Sequence, residues 1–144
     1  MALTYVVAID GSEGGIKAAK YALEKAALVS AELKILHVLQ WSPYSFLTPD
    51  ELAERHKRRG EELQRAKTAI CEPTVKALGA TQVKISTEVR YGHIPNVILD
   101  YCVETNARQV FVGRHGGGQL TTRMFGSVPG TLIQVSDIPV TVVP

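Results

Sequence analysis

The sequence predicts an α/β fold built on an open parallel sheet with helices on both faces. Short, nearly continuous apolar stretches alternate with segments of helical periodicity along the chain. Apolar runs without strict polar alternation are typical of strands covered on both faces, as in a parallel sheet. The chain has 144 residues, of which 45% are hydrophobic and 21% charged. We therefore expect a single domain that spans residues 1–144.

Five stretches are predicted to be strands. Four of them are almost uninterrupted apolar runs, whereas the stretch that begins at Val83 alternates more clearly. In chain order the predicted strands are residues 5–9, 33–39, 83–89, 109–112 and 139–143.

Helices are predicted between these strands. Residues 16–27 repeat apolar side chains at three-to-four spacing. A capping box at residues 48–51 begins a highly charged second helix, which we expect to bend near Pro73 and to end near Gly79. Strict alternation of strands and helices implies right-handed crossovers and a parallel sheet. The remaining predicted helices are residues 94–105 and 127–135.

Charge and cysteine content exclude several classes of protein. With 16 basic and 14 acidic residues the net charge is +2, which gives no electrostatic argument for a nucleic-acid or membrane surface. Cys71 and Cys102 form no CxxC pair, so we expect neither a disulfide framework nor a structural zinc site. The apolar stretch at residues 3–9 is too short for a secretory leader, and no run is long enough to span a membrane. These features favour a soluble, cytoplasmic protein.

Unusual residues follow two of the predicted strands, where ligands of open parallel sheets bind. Asp10 ends the first strand, and a loop with four glycines within six residues begins at Gly113. Such a loop lets backbone N–H groups approach an anion, and the helix that begins at Ser127 adds a positive dipole end. The pattern indicates a phosphate site. The alternative is a flexible turn in which Ser127 is only an N-cap.

The glycine spacing also resembles a known family. Gly113-x2-Gly116-x9-Gly126-Ser127 is similar to the G-2x-G-9x-G-S/T pattern of the ATP-binding members of the universal stress protein family. The similarity extends over essentially the whole chain, from Val-Ala-Ile-Asp-Gly-Ser at the first strand to Pro-Val-Thr-Val-Val at the last. It implies a Rossmann-like sheet of the adenine nucleotide alpha hydrolase type in the order 3-2-1-4-5, with the first and fourth strands adjacent.

The resemblance implies an adenine nucleotide and assigns residues to each part of it. ATP is the expected ligand, AMP or ADP the alternatives, and Mg²⁺ would be held by Asp10. The residues implied for the base and ribose are Ala8, Ile9, Asp10 and Val38. Those implied for the ribose and phosphates are Gly113, Arg114, Gly116, Gly126, Ser127 and Val128.

Two residues depart from the family pattern. Arg114 stands where members often have a small hydroxyl residue, and its guanidinium either pairs with phosphate or points to solvent. Pro129 stands where another small polar residue is common, and it removes an N–H. This substitution weakens the expected triphosphate end of the site and favours a mono- or diphosphate.

The function that follows from the resemblance is a nucleotide-dependent switch in the stress response and not an enzyme. Bound nucleotide would order the segment from Gly113 to Gly126 and change a surface that an unknown regulatory partner recognises. The last predicted strand, from Pro139 to Val143, would be an apolar edge that pairs with a second copy in a homodimer. The alternatives are a slow ATPase or nucleotidyl-transferring enzyme, disfavoured because no general base is evident, and a nucleotide-free dimeric scaffold.

Other side chains have structural alternatives. A carboxylate at the end of a buried strand indicates a metal or ribose partner for Asp10, whereas the alternative is that Asp10 caps the next turn. His37 is expected to be a hydrogen-bonded interior side chain, and the basic run at residues 55–59 to form i,i+4 pairs on a solvated helix face. His115 either contacts phosphate or is a solvated loop residue. The roles of Trp41, Tyr44 and Phe46 stay open among core packing, a lid over the base and a partner surface.

Overall fold

The computed structural model describes residues 3–40, 48–114 and 127–144. Strands β1 to β5 are Thr4–Ile9, Glu32–Gln40, Ile85–Gly92, Gln109–Gly113 and Val140–Val143. Helices α1 to α5 are Glu13–Val29, Pro49–Ala66, Glu72–Leu78, Ile94–Glu104 and Ser127–Val135. A π-helical turn, Lys67–Cys71, joins α2 to α3.

The five strands form one parallel sheet in the order β3-β2-β1-β4-β5. This order confirms the single-domain α/β fold that the sequence and the resemblance predict. Strand β1 lies at the centre, with Ala8 paired to Leu36 of β2 on one side and to Val112 of β4 on the other. The carboxyl ends of β1 and β4, which carry the unusual residues, are therefore neighbours.

Each face of the sheet is covered by its own apolar cluster, because successive side chains of a strand point to opposite faces. Val7 belongs to the face covered by α1, and Val6 to the face covered by α4 and α5. On the face covered by α1, the helix packs closely against the sheet because its buried residues are small. Its buried alanines are Ala18, Ala19, Ala22 and Ala26.

The predicted bounds of β3 are wrong, since the strand begins at Ile85 and continues to Gly92. Its residues pair with residues 33–40 of β2 over the whole length of the strand. Val83 instead lies in a turn, where its N–H donates to the Thr81 hydroxyl over 3.1 Å. Every residue of β3 is half-buried, because β3 is an outer strand of the sheet. The hydrophobicity of the sequence therefore does not change sharply at the ends of this strand.

The predicted second helix is divided by the π-helical turn immediately before Pro73. Proline has no N–H, and its ring collides with the carbonyl four residues earlier, so regular α-helical bonding cannot continue through it. The capping box is confirmed, because Thr48 Oγ1 accepts from Glu51 N at 3.2 Å while the Glu51 carboxylate accepts from Thr48 N at 3.3 Å. The helical segment ends before Gly79, whose φ is +74°.

Charged and thiol side chains adopt mostly the predicted environments. Arg58 pairs with Glu54 at 3.9 Å on an exposed face of α2, which confirms i,i+4 pairing for that residue of the basic run. Cys71 and Cys102 are free and buried, and burial raises the pKa of Cys102 to about 12. Its thiol is therefore not a nucleophile at neutral pH. None of the helices described is both long and apolar enough to cross a membrane.

Candidate functional site

A cavity of about 210 Å³ lies at the carboxyl ends of β1 and β4. These strands flank the point where the chain reverses its winding direction, since β2 and β3 lie on one side of β1 and β4 and β5 on the other. Open parallel sheets bind ligands at such a point. Its lining residues are Ala8, Ile9, Asp10, Gly15, Val38, Ile94, Ile98, Val112, Gly113, Ser127, Val128 and Pro129.

Most of the predicted site residues lie together around this cavity. Those that line it are Ala8, Ile9, Asp10, Val38, Gly113, Ser127 and Val128. Arg114 is exposed and does not contribute to the lining, although its backbone N–H donates to Val143 O at 2.8 Å and extends the sheet. The predictions for Gly116, Gly126 and His115, for the loop between Gly113 and Gly126, and for Trp41, Tyr44 and Phe46 lie outside the described residues.

Several lining residues were not predicted from the sequence. Ile94 and Ile98 lie one helical turn apart on α4 and form one wall of the cavity. Their i,i+4 spacing directly after the end of β3 was the available signal. Val112 lies one residue before the glycine motif, and Gly15 lies in the first turn of α1. Both positions become recognisable only when the two strand ends are seen together.

The inner part of the cavity is apolar. Ile98 is 1% exposed, Val112 3% and Val38 7%, and Ala8 packs against the same cluster. Residues of the sheet and of α4 thus present hydrocarbon surface toward the same space. Apolar walls with a few polar groups at the rim are typical of small-molecule sites. This arrangement suits an aromatic ring whose polar substituents meet backbone groups.

Asp10 lies at the rim and is exposed, so the desolvation argument for a metal or ribose partner is wrong. Its Oδ1 accepts from the Ser12 N–H at 3.0 Å and from the Ser12 hydroxyl. Ser12 Oγ in turn accepts from Gly15 N at 3.2 Å and caps α1. Asp10 thus makes the hydrogen bonds of the capping alternative, because it orients the residue that caps α1, and its role toward a metal or ribose stays a prediction.

The rim supplies one carboxylate, so it fits Mg²⁺ only if a bound ligand and waters provide the other coordinating oxygens. Within the described ranges no three His, Cys, Asp or Glu side chains converge on one point. Mg²⁺ in nucleotide sites commonly takes one or two carboxylates, several waters and the substrate phosphates. A single carboxylate from Asp10 fits that pattern, and it does not fit a metal site built from protein ligands alone.

Gly113 allows β4 to approach the beginning of α1 closely. A Cβ at this position would lie 2.8 Å from the carbonyl oxygen of Gly14, closer than such atoms pack. Gly15 is constrained less tightly, because its Cβ would lie 3.3 Å from both N and Oδ1 of Asp10. The first glycine of the motif therefore has a packing function that the motif itself did not indicate.

The α5 helix begins at the cavity. Ser127 is exposed and Val128 half-buried, and both line the rim. The first N–H groups of a helix have no partner within the helix, and the positive end of its dipole attracts anions. Pro129 is buried and supplies no N–H, so it reduces the number of available donors by one.

His37 is an interior side chain, as predicted. It is 6% exposed, and its Nδ1 lies 2.7 Å from the carbonyl oxygen of Ile9. The imidazole is therefore engaged with the main chain of β1 and is not directed into the cavity as a catalytic base.

Comparisons with known proteins agree with this architecture. The model of the universal stress protein family matches residues 1–144. Universal stress protein YxiE from Bacillus subtilis (strain 168) is 31% identical to this chain over an alignment of 152 residues. The alignment covers 96% of this chain and 96% of that protein. The structure of universal stress protein UspA from Lactobacillus plantarum has a TM-score of 0.82 at 22% identity, covering 99% of this chain and 97% of the other.

Two similar structures contain nucleotides. A universal stress protein solved in complex with cAMP is 25% identical, with a TM-score of 0.65 and coverage of 99% of this chain and 97% of the other. A universal stress protein from Archaeoglobus fulgidus, solved in complex with dAMP, is 21% identical with a TM-score of 0.62 and covers 99% and 98% of the two chains. From the family match and the relative above 30% identity, this chain belongs to the universal stress protein family.

Proposed function

We propose that the protein binds an adenine nucleotide in the cavity between β1 and β4 and acts as a non-enzymatic regulatory protein of the stress response. The observation that carries the proposal is that four separate segments of the chain line one cavity, represented by Ala8 and Asp10, by Val38, by Gly113 and by Ser127. A role in packing alone does not require residues of a glycine motif and of the first strand to line the same empty space.

In this proposal the base occupies the apolar inner part of the cavity. Val38, Ile98 and Val112 contact its faces, and backbone groups of Ala8 and Ile9 face its polar edge. Burial of an aromatic base against these side chains supplies hydrophobic free energy, and the backbone groups supply orientation. The cAMP complex of a protein 25% identical to this chain supports an adenine ligand.

The phosphates extend toward the amino end of α5. The N–H groups at Ser127 and Val128, together with the Ser127 hydroxyl, offer hydrogen bonds to an anion there. Asp10 would hold Mg²⁺ when a di- or triphosphate is bound, and the ion would offset the negative charge of the phosphates. Because Pro129 lacks an N–H, we expect ATP to gain little affinity over AMP from this helix end.

The protein is proposed to act in the cytoplasm as a homodimer, joined through the segment from Pro139 to Val143, which contains β5. Strand β5 is an outer strand of the described sheet, and its neighbour on the inner side is β4. An outer strand exposes backbone donors and acceptors that a second copy can pair with.

Calorimetry with ATP, ADP and AMP, each with and without Mg²⁺, tests the binding. Val128→Trp fills the rim of the cavity and should weaken binding by about ten-fold or more. Val135→Trp is the matched control, because Val135 lies on the same helix, is 55% exposed and does not line the cavity. Equal affinities of the two variants would contradict the site, and no binding to the unchanged protein would contradict the function.

A further inference from the structure

His37 links β2 to the central strand β1 at the last residue of β1. It is the register partner of Ile9 and donates to the Ile9 carbonyl, with 2.7 Å between Nδ1 and O. Because a carbonyl oxygen only accepts, Nδ1 must carry the proton of this hydrogen bond. Val38, the next residue of β2, points to the opposite face and lines the cavity.

Ile9 is paired with β2 through the main chain, and the bond from His37 adds a side-chain donor to the same carbonyl oxygen, so both contacts together hold the peptide group between Ile9 and Asp10. The described peptide bonds are all trans, and in a planar trans peptide the C=O and N–H point in opposite directions. The direction of the Ile9 carbonyl therefore determines the direction of the Asp10 N–H. Ile9 and Asp10 both line the cavity, so this one peptide sets part of its wall.

We propose that His37 is a positioning residue for the nucleotide. It holds the Ile9–Asp10 peptide in the orientation that the ligand meets, and it does so from the other face of the sheet without contacting the ligand. This role rests on the proposed function, because it assigns His37 to the same site.

A purely structural role makes a different prediction. A buried imidazole needs a hydrogen-bond partner for stability alone, and in that case its replacement would lower the free energy of unfolding and leave ligand affinity unchanged. A positioning role requires affinity to follow the presence of a donor at the Nδ1 position. Affinity and stability therefore have to be measured separately.

The test compares His37→Asn with His37→Leu, using AMP and ATP as ligands in calorimetry. Asn places its Nδ2 donor where the imidazole has Nδ1, whereas Leu fills similar space without a donor. We expect His37→Leu to raise Kd by about five-fold or more and His37→Asn to stay within about two-fold of the unchanged protein. In ¹H–¹⁵N spectra without ligand, the Asp10 amide resonance should move in the Leu variant and stay near its original position in the Asn variant.

Each outcome decides between the roles. Equal Kd values for the Leu variant, the Asn variant and the unchanged protein would overturn the positioning role. If His37→Leu does not fold, His37→Gln replaces it, because Gln carries its donor one bond further out. Equal binding by the Gln and Asn variants would then overturn the role.

If the unchanged protein binds no nucleotide, the proposed function fails. The Asp10 amide still tests the peptide link, and an unmoved resonance in the Leu or Gln variant refutes that link independently.

Discussion

Gly113 shows how one residue serves both the fold and the candidate site. Its position as the first glycine of the motif suggested contact with a nucleotide. The structure adds a contact within the protein, because a Cβ here would lie 2.8 Å from the Gly14 carbonyl oxygen. The close approach brings the beginning of α1 beside the end of β4. A change at this position therefore affects stability even without ligand.

We expect Gly113→Ala to lower the free energy of unfolding by about 1–3 kcal/mol, because the backbone must shift to accommodate the methyl group. Urea denaturation without nucleotide measures this effect. Gly60→Ala is the control: a Cβ at Gly60 meets nothing within 4 Å, and alanine should stabilise that helix interior by about 0.5–1 kcal/mol. A Gly113→Ala protein as stable as the unchanged one would contradict the packing account.

Asp10 shows a limit of sequence reasoning at the same scale. The sequence places a carboxylate at the end of an apolar strand, and from this we expected burial. The strand ends at Ile9, however, and Asp10 is already exposed and hydrogen-bonded to Ser12. A difference of one residue in the position of the strand end determines whether the carboxylate is buried or solvated. Strand ends cannot be predicted from sequence with that precision. Asp10 nevertheless lines the cavity at the ends of β1 and β4, where the sequence predicts a ligand.

At the scale of elements, β5 is the strand with the most direct bearing on assembly. Val110 N donates to Pro139 O at 3.0 Å, and Arg114 N donates to Val143 O at 2.8 Å. Backbone groups of successive strand residues point to alternate sides, so those of Val142 point away from β4. These groups are the ones that a second copy would pair with in the proposed homodimer.

Val142→Pro removes the outward N–H while leaving the bonds to β4 in place, and proline is tolerated in outer strands. We expect this variant to sediment as a monomer in analytical ultracentrifugation. Val142→Ala keeps the N–H, loses part of the same side chain and should remain dimeric like the unchanged protein. Dimers of both variants would show that the protein does not associate through this edge, and a monomeric unchanged protein would contradict the homodimer itself.

Elements with a strong local signal were predicted well, whereas the ends of outer elements were not. The Thr48 capping box and the departure from regular α-helical bonding near Pro73 follow from chemistry within a few residues. The bounds of β3 do not, because its pairing with β2 extends over half-buried residues that hydrophobicity does not distinguish. Tertiary pairing, and not local propensity, sets those bounds.

At the scale of the whole molecule, sheet order determines the site. Alternating apolar and helical segments predict a parallel sheet, yet they leave open which strands are neighbours. The resemblance supplied the order, and the structure confirms it with β1 between β2 and β4. The adjacency of β1 and β4 in this order brings Asp10 and Gly113, about a hundred residues apart, to one cavity. The i,i+4 spacing on α4 indicates an apolar helix face, but its place at the cavity depends on how that helix packs on the sheet.

Methyl-labelled NMR spectra recorded during titration with ATP and AMP test the central claim most directly. The valine and isoleucine residues that line the cavity and belong to the apolar cluster under α4 and α5 are Val38, Ile94, Ile98, Val112 and Val128. Exposed control methyl groups outside the cavity belong to Val103, Ile133 and Val135. Saturable shifts confined to the first set are the result that we predict. Unchanged resonances throughout, or shifts concentrated in the second set, would contradict nucleotide binding at the β1–β4 cavity.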